Sequence, residues 1–312
     1  MRLEEARPAC AASEERSFRM FNTTVDTKFF GLLGKPLSQS AAPFMQNSVY
    51  QKLGIDALYV PLELEMDQLE PVVANLENFH YAGSGVTMPF KTQVHKYLDG
   101  LADSARFTEV VNTIVFENGR KIGYNTDGTG FVLSLKNQLR LSIPEHRYLL
   151  LGAGGAGTAI ACALAMEGAK DIKSLCIARD YFCAETLFSR VDRHFPSVCT
   201  IGEMTEKSIA SALEKYDVVI HATKVGMYPN ADETLFDPGM LDPRHIVADV
   251  VYVPAETKLL REAAARGCTT LSGLWMNAYQ AAEQMRLWLG VEPPIDYMFS
   301  HSLEYLRSQG KA

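Results

Sequence analysis

Tyr148 to Gly157 reads YLLLGAGGAG, an apolar run followed at once by a glycine cluster in which Gly152, Gly154 and Gly157 supply G-x-G-x-x-G. A strand ending in such a turn lets backbone N–H groups and the start of a helix approach a pyrophosphate, because glycine alone makes the turn without an obstructing side chain. Taken alone, the pattern is weak. Its context strengthens it: residues 159–166 read as the required helix, 174–178 as a second strand, and Asp180 falls where a ribose-binding carboxylate is expected, about 20 residues on. The spacing predicts a dinucleotide-binding domain that begins halfway along the chain. About 120 upstream residues are left to hold something else.

Composition sets the outer limits. At 312 residues with 47% hydrophobic content, the chain is too long for one ordinary core and apolar enough to fill two. Thirty basic residues against 37 acidic ones leave a net charge of −7, with no basic block. That balance argues against nucleic acid and against anionic membranes as partners. No apolar run reaches the roughly 18 residues of a membrane span, and the start MRLEEARPACAASEER puts acids where a signal peptide would be basic and then apolar. The protein is expected to stay in the cytoplasm. The six cysteines (Cys10, Cys162, Cys176, Cys183, Cys199, Cys268) form no C-x-x-C and read as reduced packing residues. The seven histidines show no H-x-x-x-H, so no metal is expected.

Along the chain, residues 1–26 read as a loosely attached tail and 29–33 as the first strand. The loop GKPLSQSAAP, a helix over 43–53, a strand over 57–61, a helix over 66–78 and a short strand ending in GSGVTMPFK give a β-α-β-α-β rhythm. A helix over 92–98 leads to strands at 110–117 and 121–124, joined by a turn containing Asn-Gly. The segment NTDGTGFVLSLKNQL crosses as a helix into the nucleotide domain, where strands at 217–222, 246–251 and 269–271 alternate with helices. Two last helices, 275–289 and 295–307, are expected to pack back onto the first domain. The fold class is therefore α/β in two domains. An N-terminal substrate-binding domain with a mostly parallel sheet takes 27–126 and 277–312, and a Rossmann-type dinucleotide domain takes 127–276.

The upstream motifs bear on chemistry. In T-M-P-F-K, Pro89 cannot extend a strand and so ends it, which leaves Lys91 at the carboxyl end of a parallel sheet, where ligands bind. Asp127 lies in the turn-rich GYNTDG just before the linking helix. Oxidising an alcohol by hydride transfer needs a group that takes the hydroxyl proton, and a lysine held by a carboxylate can do this. On spacing alone, a surface lysine and an unrelated loop aspartate are the favoured reading.

From about Phe29 to the last helix the chain resembles the shikimate dehydrogenase family, and within it the quinate/shikimate branch. The resemblance rests on ordered motifs: GLLGKPLSQSAAP, GSGVTMPFK, VVNTI, GYNTDGTG, LLGAGGAG, ATKVGM, DVVYVP, and Gly273 with Met276 and Gln280. It implies that Lys91 and Asp127 are the catalytic pair. It implies a substrate shell of Ser40, Tyr59, Thr87, Asn112, Thr126 and Gln280 around a small cyclic hydroxy acid, since a site built of short donors and acceptors rejects analogues lacking a hydroxyl. It also implies a cofactor site lined by Gly152, Ala153, Gly154, Gly155, Ala156, Gly157, Thr223, Lys224, Val250, Tyr252, Gly273 and Met276, although Lys224 reads equally well as an exposed loop residue.

Cofactor choice turns on Arg179 and Asp180 after the second strand. Asp180 would accept from a ribose 2′-hydroxyl and repel a 2′-phosphate, which favours NAD, with NADP as a weaker alternative that Arg179 could tolerate. Three positions depart from the family pattern. Gln39-Ser40-Ala41-Ala42-Pro43 stands for His-Ser-x-Ser-Pro, Gly85 for an asparagine, and His221 for an asparagine near the nicotinamide end. The expected activity is interconversion of a ring hydroxyl and ketone of quinate or shikimate. A dehydrogenase for another small hydroxy acid and a non-catalytic nucleotide-binding sensor stand as alternatives, and a homodimer is left open.

Overall fold

In the computed structural model, residues 23–38 and 40–311 are described. Cys10, Gln39 and the first 22 residues of the expected tail lie outside them. Two six-stranded sheets organise the chain.

The first sheet is built from β1 (Lys28–Gly34), α1 (Ala42–Leu53), β2 (Ala57–Glu63), α2 (Leu69–Asn75), β3 (Tyr81–Val86), β4 (Gly100–Leu101), α3 (Asp103–Arg106), β5 (Thr113–Glu117) and β6 (Arg120–Tyr124). Strand order is β2-β1-β3-β5-β6-β4. β1 pairs in parallel with β2 and β3, whereas β5 runs antiparallel to β3 and to β6, so the sheet is mixed. The β5–β6 hairpin turns at Asn118 and Gly119, both at positive φ (52° and 73°), the geometry for which Asn-Gly is suited. At its start, the hydroxyls of Thr24 and Thr27 donate to Asp56 at 2.7 and 2.6 Å, fastening the chain ahead of β1.

The second sheet follows α4 (Thr126–Gln138): β7 (Tyr148–Leu151), α5 (Gly155–Met166), β8 (Ile172–Cys176), α6 (Tyr181–His194), β9 (Cys199–Glu203), α7 (Glu206–Leu213), β10 (Val218–His221), β11 (Ile246–Asp249), α8 (Lys258–Ala265) and β12 (Thr269–Leu271). All neighbours are parallel, in the order β12-β11-β10-β7-β8-β9. The order reverses between β7 and β10, and the crevice at that switch point is where open parallel sheets bind ligands. β7 is fully buried, as a strand covered by helices on both faces must be.

Two helices close the chain, α9 (Gly273–Leu289) and α10 (Ile295–Ser308). α9 lies against α4 so closely that a Cβ on Gly130 would come within 2.6 Å of the Gln280 backbone nitrogen. Trp288 of α9 stacks on Phe30 and donates to the Ile114 carbonyl at 3.0 Å, seating the helix on the first sheet.

Three local readings differ from the structure. Residues 92–98 form two 3-10 turns (Phe90–Thr92, Val94–Tyr97) rather than one helix, and the helix expected over 66–78 is likewise broken into α2 flanked by 3-10 turns. In both places packing of Leu69, Val73, Leu76, Phe90 and Val94 into one core overrides helical continuity. The edge strand β9 escaped the pattern because CTIGE is only half buried and shows little alternation.

Candidate active site

Lys91 sits in the 3-10 turn that follows β3, and its carbonyl accepts from the Val111 N–H at 2.8 Å, which ties the turn to the segment leading into β5. Asp127 is the second residue of α4. Asn125 caps that helix, its side-chain oxygen accepting from the N–H groups of Asp127 and Gly128 at 3.1 and 3.2 Å while its amide donates to the Val110 carbonyl at 2.9 Å. These two anchors bring the Lys91 ammonium to 2.6 Å from Asp127 Oδ2. The lysine side chain is 20% exposed and the aspartate 9%, so the pair stands at a wall that a small molecule can reach.

Around this pair the buried polar groups are joined. The Asn112 side-chain oxygen accepts from the Thr126 N–H at 2.7 Å, and its amide donates to the Thr126 hydroxyl at 2.9 Å. The Gln280 oxygen lies 3.4 Å from the Thr126 hydroxyl, and its amide donates to Asn277 at 2.9 Å. Beneath them, Gln284 donates to the Thr113 hydroxyl at 3.0 Å and accepts from Gln46 at 2.9 Å. Tyr59 is held through its backbone by both ends of the Asn47 amide. Its buried hydroxyl has no partner among the described residues, and burial raises its pKa well above the usual phenol value. A Cβ on Gly85 would collide with that hydroxyl, so the glycine makes room for it. Thr87 lies partly exposed just past β3, its N–H on the Leu33 carbonyl.

Ser40 lies in the loop before α1, where its oxygen accepts from the Ala42 N–H at 3.3 Å. Tyr252, expected on the cofactor side, lies on the loop after β11 with its hydroxyl near the Ser40 side chain and the Ala41 backbone. Enclosure by protein pushes its phenol pKa up, and the nearby Asp127 carboxylate adds to this.

The glycine turn has the shape its sequence requires. Gly152 takes φ 112°, a Cβ on Gly157 would strike the Gly152 carbonyl, and Gly154 caps α5 with nothing within 4 Å of where its side chain would be. That open face, backed by close packing, leaves room for a phosphate group at the helix N-terminus. Ala153 is buried within the turn, while Ala156 is half-buried in the first turn of α5. Both ligand regions meet here, because a Cβ on Gly155 would lie 3.6 Å from Val110 and one on Gly128 would collide with the Ala159 carbonyl. Arg179 and Asp180 stand exposed after β8 and pair at 3.1 Å. Lys224 is exposed, whereas Met276 is packed into the core of the second sheet. Gly273 approaches Val250 so closely that a Cβ would lie 2.6 Å from its carbonyl.

Comparison with known proteins now bears on this arrangement. A description of the shikimate dehydrogenase substrate binding domain matches residues 32–114, and one of the shikimate 5′-dehydrogenase C-terminal domain matches 273–298. Shikimate dehydrogenase (NADP(+)) of Alkaliphilus oremlandii is 37% identical over 277 residues, 88% of this chain and 96% of the relative. The chain belongs to the shikimate dehydrogenase family. A quinate/shikimate dehydrogenase of Escherichia coli is 36% identical over 89% of this chain and 97% of its own length. The crystal structure of shikimate 5-dehydrogenase from Listeria monocytogenes in complex with shikimate and NAD superposes with TM-score 0.83 at 34% identity, covering 89% of this chain and 97% of that one. As a member of this family, the protein is an NAD(P)-dependent oxidoreductase.

Sequence reading had not singled out Asn125, Thr113, Asn277 or Gln284. Asn125 carried a signal, since Asn ahead of a helical pattern is a capping residue. Thr113 and Gln284 meet each other across 171 residues and left none, and Asn277, three residues before Gln280 in α9, looks like any helix polar.

Proposed function

We propose that the protein oxidises a ring hydroxyl of quinate, shikimate or a close relative to the ketone, reversibly, with NAD preferred over NADP. The 2.6 Å contact between Lys91 and Asp127 carries this reading. Lys91 Nζ exchanges the hydroxyl proton as the carbonyl forms, and Asp127 holds Nζ in place and supports its charge. Asn112, Thr126, Gln280, Thr87 and Tyr59 supply short polar groups for ring hydroxyls, and Ser40 with the Tyr252 hydroxyl receives the carboxylate where Ala42 lacks one. The turn from Gly152 to Gly157 would hold the dinucleotide pyrophosphate, Asp180 the adenosine ribose, and Thr223, Lys224, Val250, Gly273 and Met276 would line the rest of its cleft. The bound dinucleotide supplies the hydride chemistry. On this reading 27–126 with 277–312 form the substrate domain and 127–276 the dinucleotide domain.

Gly85 beside Tyr59, and the family likeness to quinate/shikimate dehydrogenases, support that branch. The test is a matrix of NAD and NADP against quinate, shikimate and related hydroxy acids, followed by reduced-cofactor absorbance. Turnover of quinate or shikimate, faster with NAD, is the expected result. Dinucleotide binding without turnover of any acid would replace this reading with a sensor.

A further inference from the structure

Inside the second sheet lies a titratable pair that no step above uses. His221 ends β10 and Asp249 ends β11, opposite one another in the parallel register, and each is 1% exposed. Nδ1 of His221 is 2.9 Å from Asp249 Oδ1, and Nε2 is 2.6 Å from the Thr223 hydroxyl. A carboxylate only accepts, so Nδ1 carries the proton. In the neutral ring Nε2 then accepts from the Thr223 hydroxyl, whose oxygen in turn accepts from the Val225 N–H at 3.2 Å. Asp249 Oδ1 also accepts from the Val251 N–H at 2.9 Å, and Oδ2 accepts from the Thr257 hydroxyl at 2.7 Å.

Holding two strands together does not call for such a pair, since apolar residues of similar size stabilise a sheet interior as well or better. What the pair does is fix loops. With its hydroxyl held by His221, Thr223 turns its methyl toward the glycine turn: a Cβ on Gly152 would lie 2.8 Å from Thr223 Cγ2. Through the Val251 N–H, Asp249 also fixes the loop whose Tyr252 meets Ser40.

We propose that His221 and Asp249 are positioning residues for the dinucleotide, with Asp249 orienting the imidazole, the imidazole setting the Thr223 rotamer, and Thr223 backing the turn at Gly152. This rests on the dehydrogenase reading above. Asp249 serves two loops and His221 one, which makes the proposal separable from a general loss of stability.

The experiment measures Kd for NADH by fluorescence, KM for the acid and Tm. The variants are Thr223→Val, which keeps the side-chain shape, His221→Asn, their double mutant, and Asp249→Asn. Losing one buried hydrogen bond on this path should weaken NADH binding about tenfold in each single mutant. KM for the acid should stay within about twofold for Thr223→Val and His221→Asn and rise for Asp249→Asn. Because both single mutants break the same link, the double mutant should bind no more weakly than the worse of them. Folded Thr223→Val with unchanged NADH affinity, or additive losses in the double mutant, overturns the proposal, and a fall in Tm alone does so as well. A wild-type protein that binds no dinucleotide overturns the function reading along with it.

Discussion

The two ligand regions are made of different material. The wall around Lys91 is side chain: Asn112, Thr126, Gln280 and Gln284 are buried and bonded to partners as far as 238 residues away. The glycine turn is backbone, shaped by what Gly152, Gly154 and Gly157 lack, and the charged residues after the neighbouring strand β8, Arg179 and Asp180, are exposed and paired with each other. A side-chain wall selects among similar polyols because each missing hydroxyl strands a buried partner. A backbone cradle takes any pyrophosphate and leaves discrimination to its rim.

The sharpest way to break this contrast is at the lysine. Lys91→Ala should lower kcat by about 10² to 10⁴-fold, the usual worth of a general acid–base group, while NADH binding measured by fluorescence stays unchanged. Retention of more than about a tenth of kcat under conditions where hydride transfer is rate-limiting removes Lys91 from the chemistry.

Next in size is Gly157→Ala. Its methyl group would strike the Gly152 carbonyl, and the resulting shift of the turn should raise KM for the dinucleotide by roughly 10²-fold with little change in KM for the acid. An equal rise in both, by steady-state kinetics, would show that the regions are not separable.

Asp180→Ser tests the rim. Removing a charged acceptor worth about 1.5–3 kcal/mol, together with its repulsion of a 2′-phosphate, should shift the ratio of kcat/KM for NAD to that for NADP by about tenfold or more toward NADP. An unchanged ratio places ribose recognition on another residue.

The smallest effect is expected for Ala42→Ser, which offers a second hydroxyl beside Ser40 and should raise kcat/KM for quinate or shikimate by about tenfold, the low end for a hydrogen bond to a charged group. A fall for the best substrate means that the wall already places the carboxylate through Tyr252, and that the added group crowds it.

The same contrast explains what could be read from sequence. The cradle was legible because its information is local: glycine positions, one strand before and one helix after. The Lys91–Asp127 pair became legible only with the surrounding motifs, since nothing in 36 residues of spacing fixes a 2.6 Å contact. Tyr252 reads as a cofactor residue because its motif follows β11, and its hydroxyl also lies near Ser40; the direction in which a loop side chain crosses a cleft is set by tertiary packing. Gln46 and Gln284 lie on separate helices, and their meeting across 238 residues is invisible before folding.

Helix α9 acts as a ruler. Gly273 opens it beside Val250 at the dinucleotide side, and Gln280 faces Thr126 two turns later, a rise of about 10 Å at 1.5 Å per residue. On the proposed assignment, one rigid rod spaces the two reactants and, through Gly130, is pressed against the helix that carries Asp127. Insertion of a single residue between Gly273 and Gln280 would turn everything after it by about 100°, carrying Gln280 and Gln284 off the polar wall at one stroke. Redesign for a new acid therefore has to work by exchange of side chains along this rod, with its length left alone.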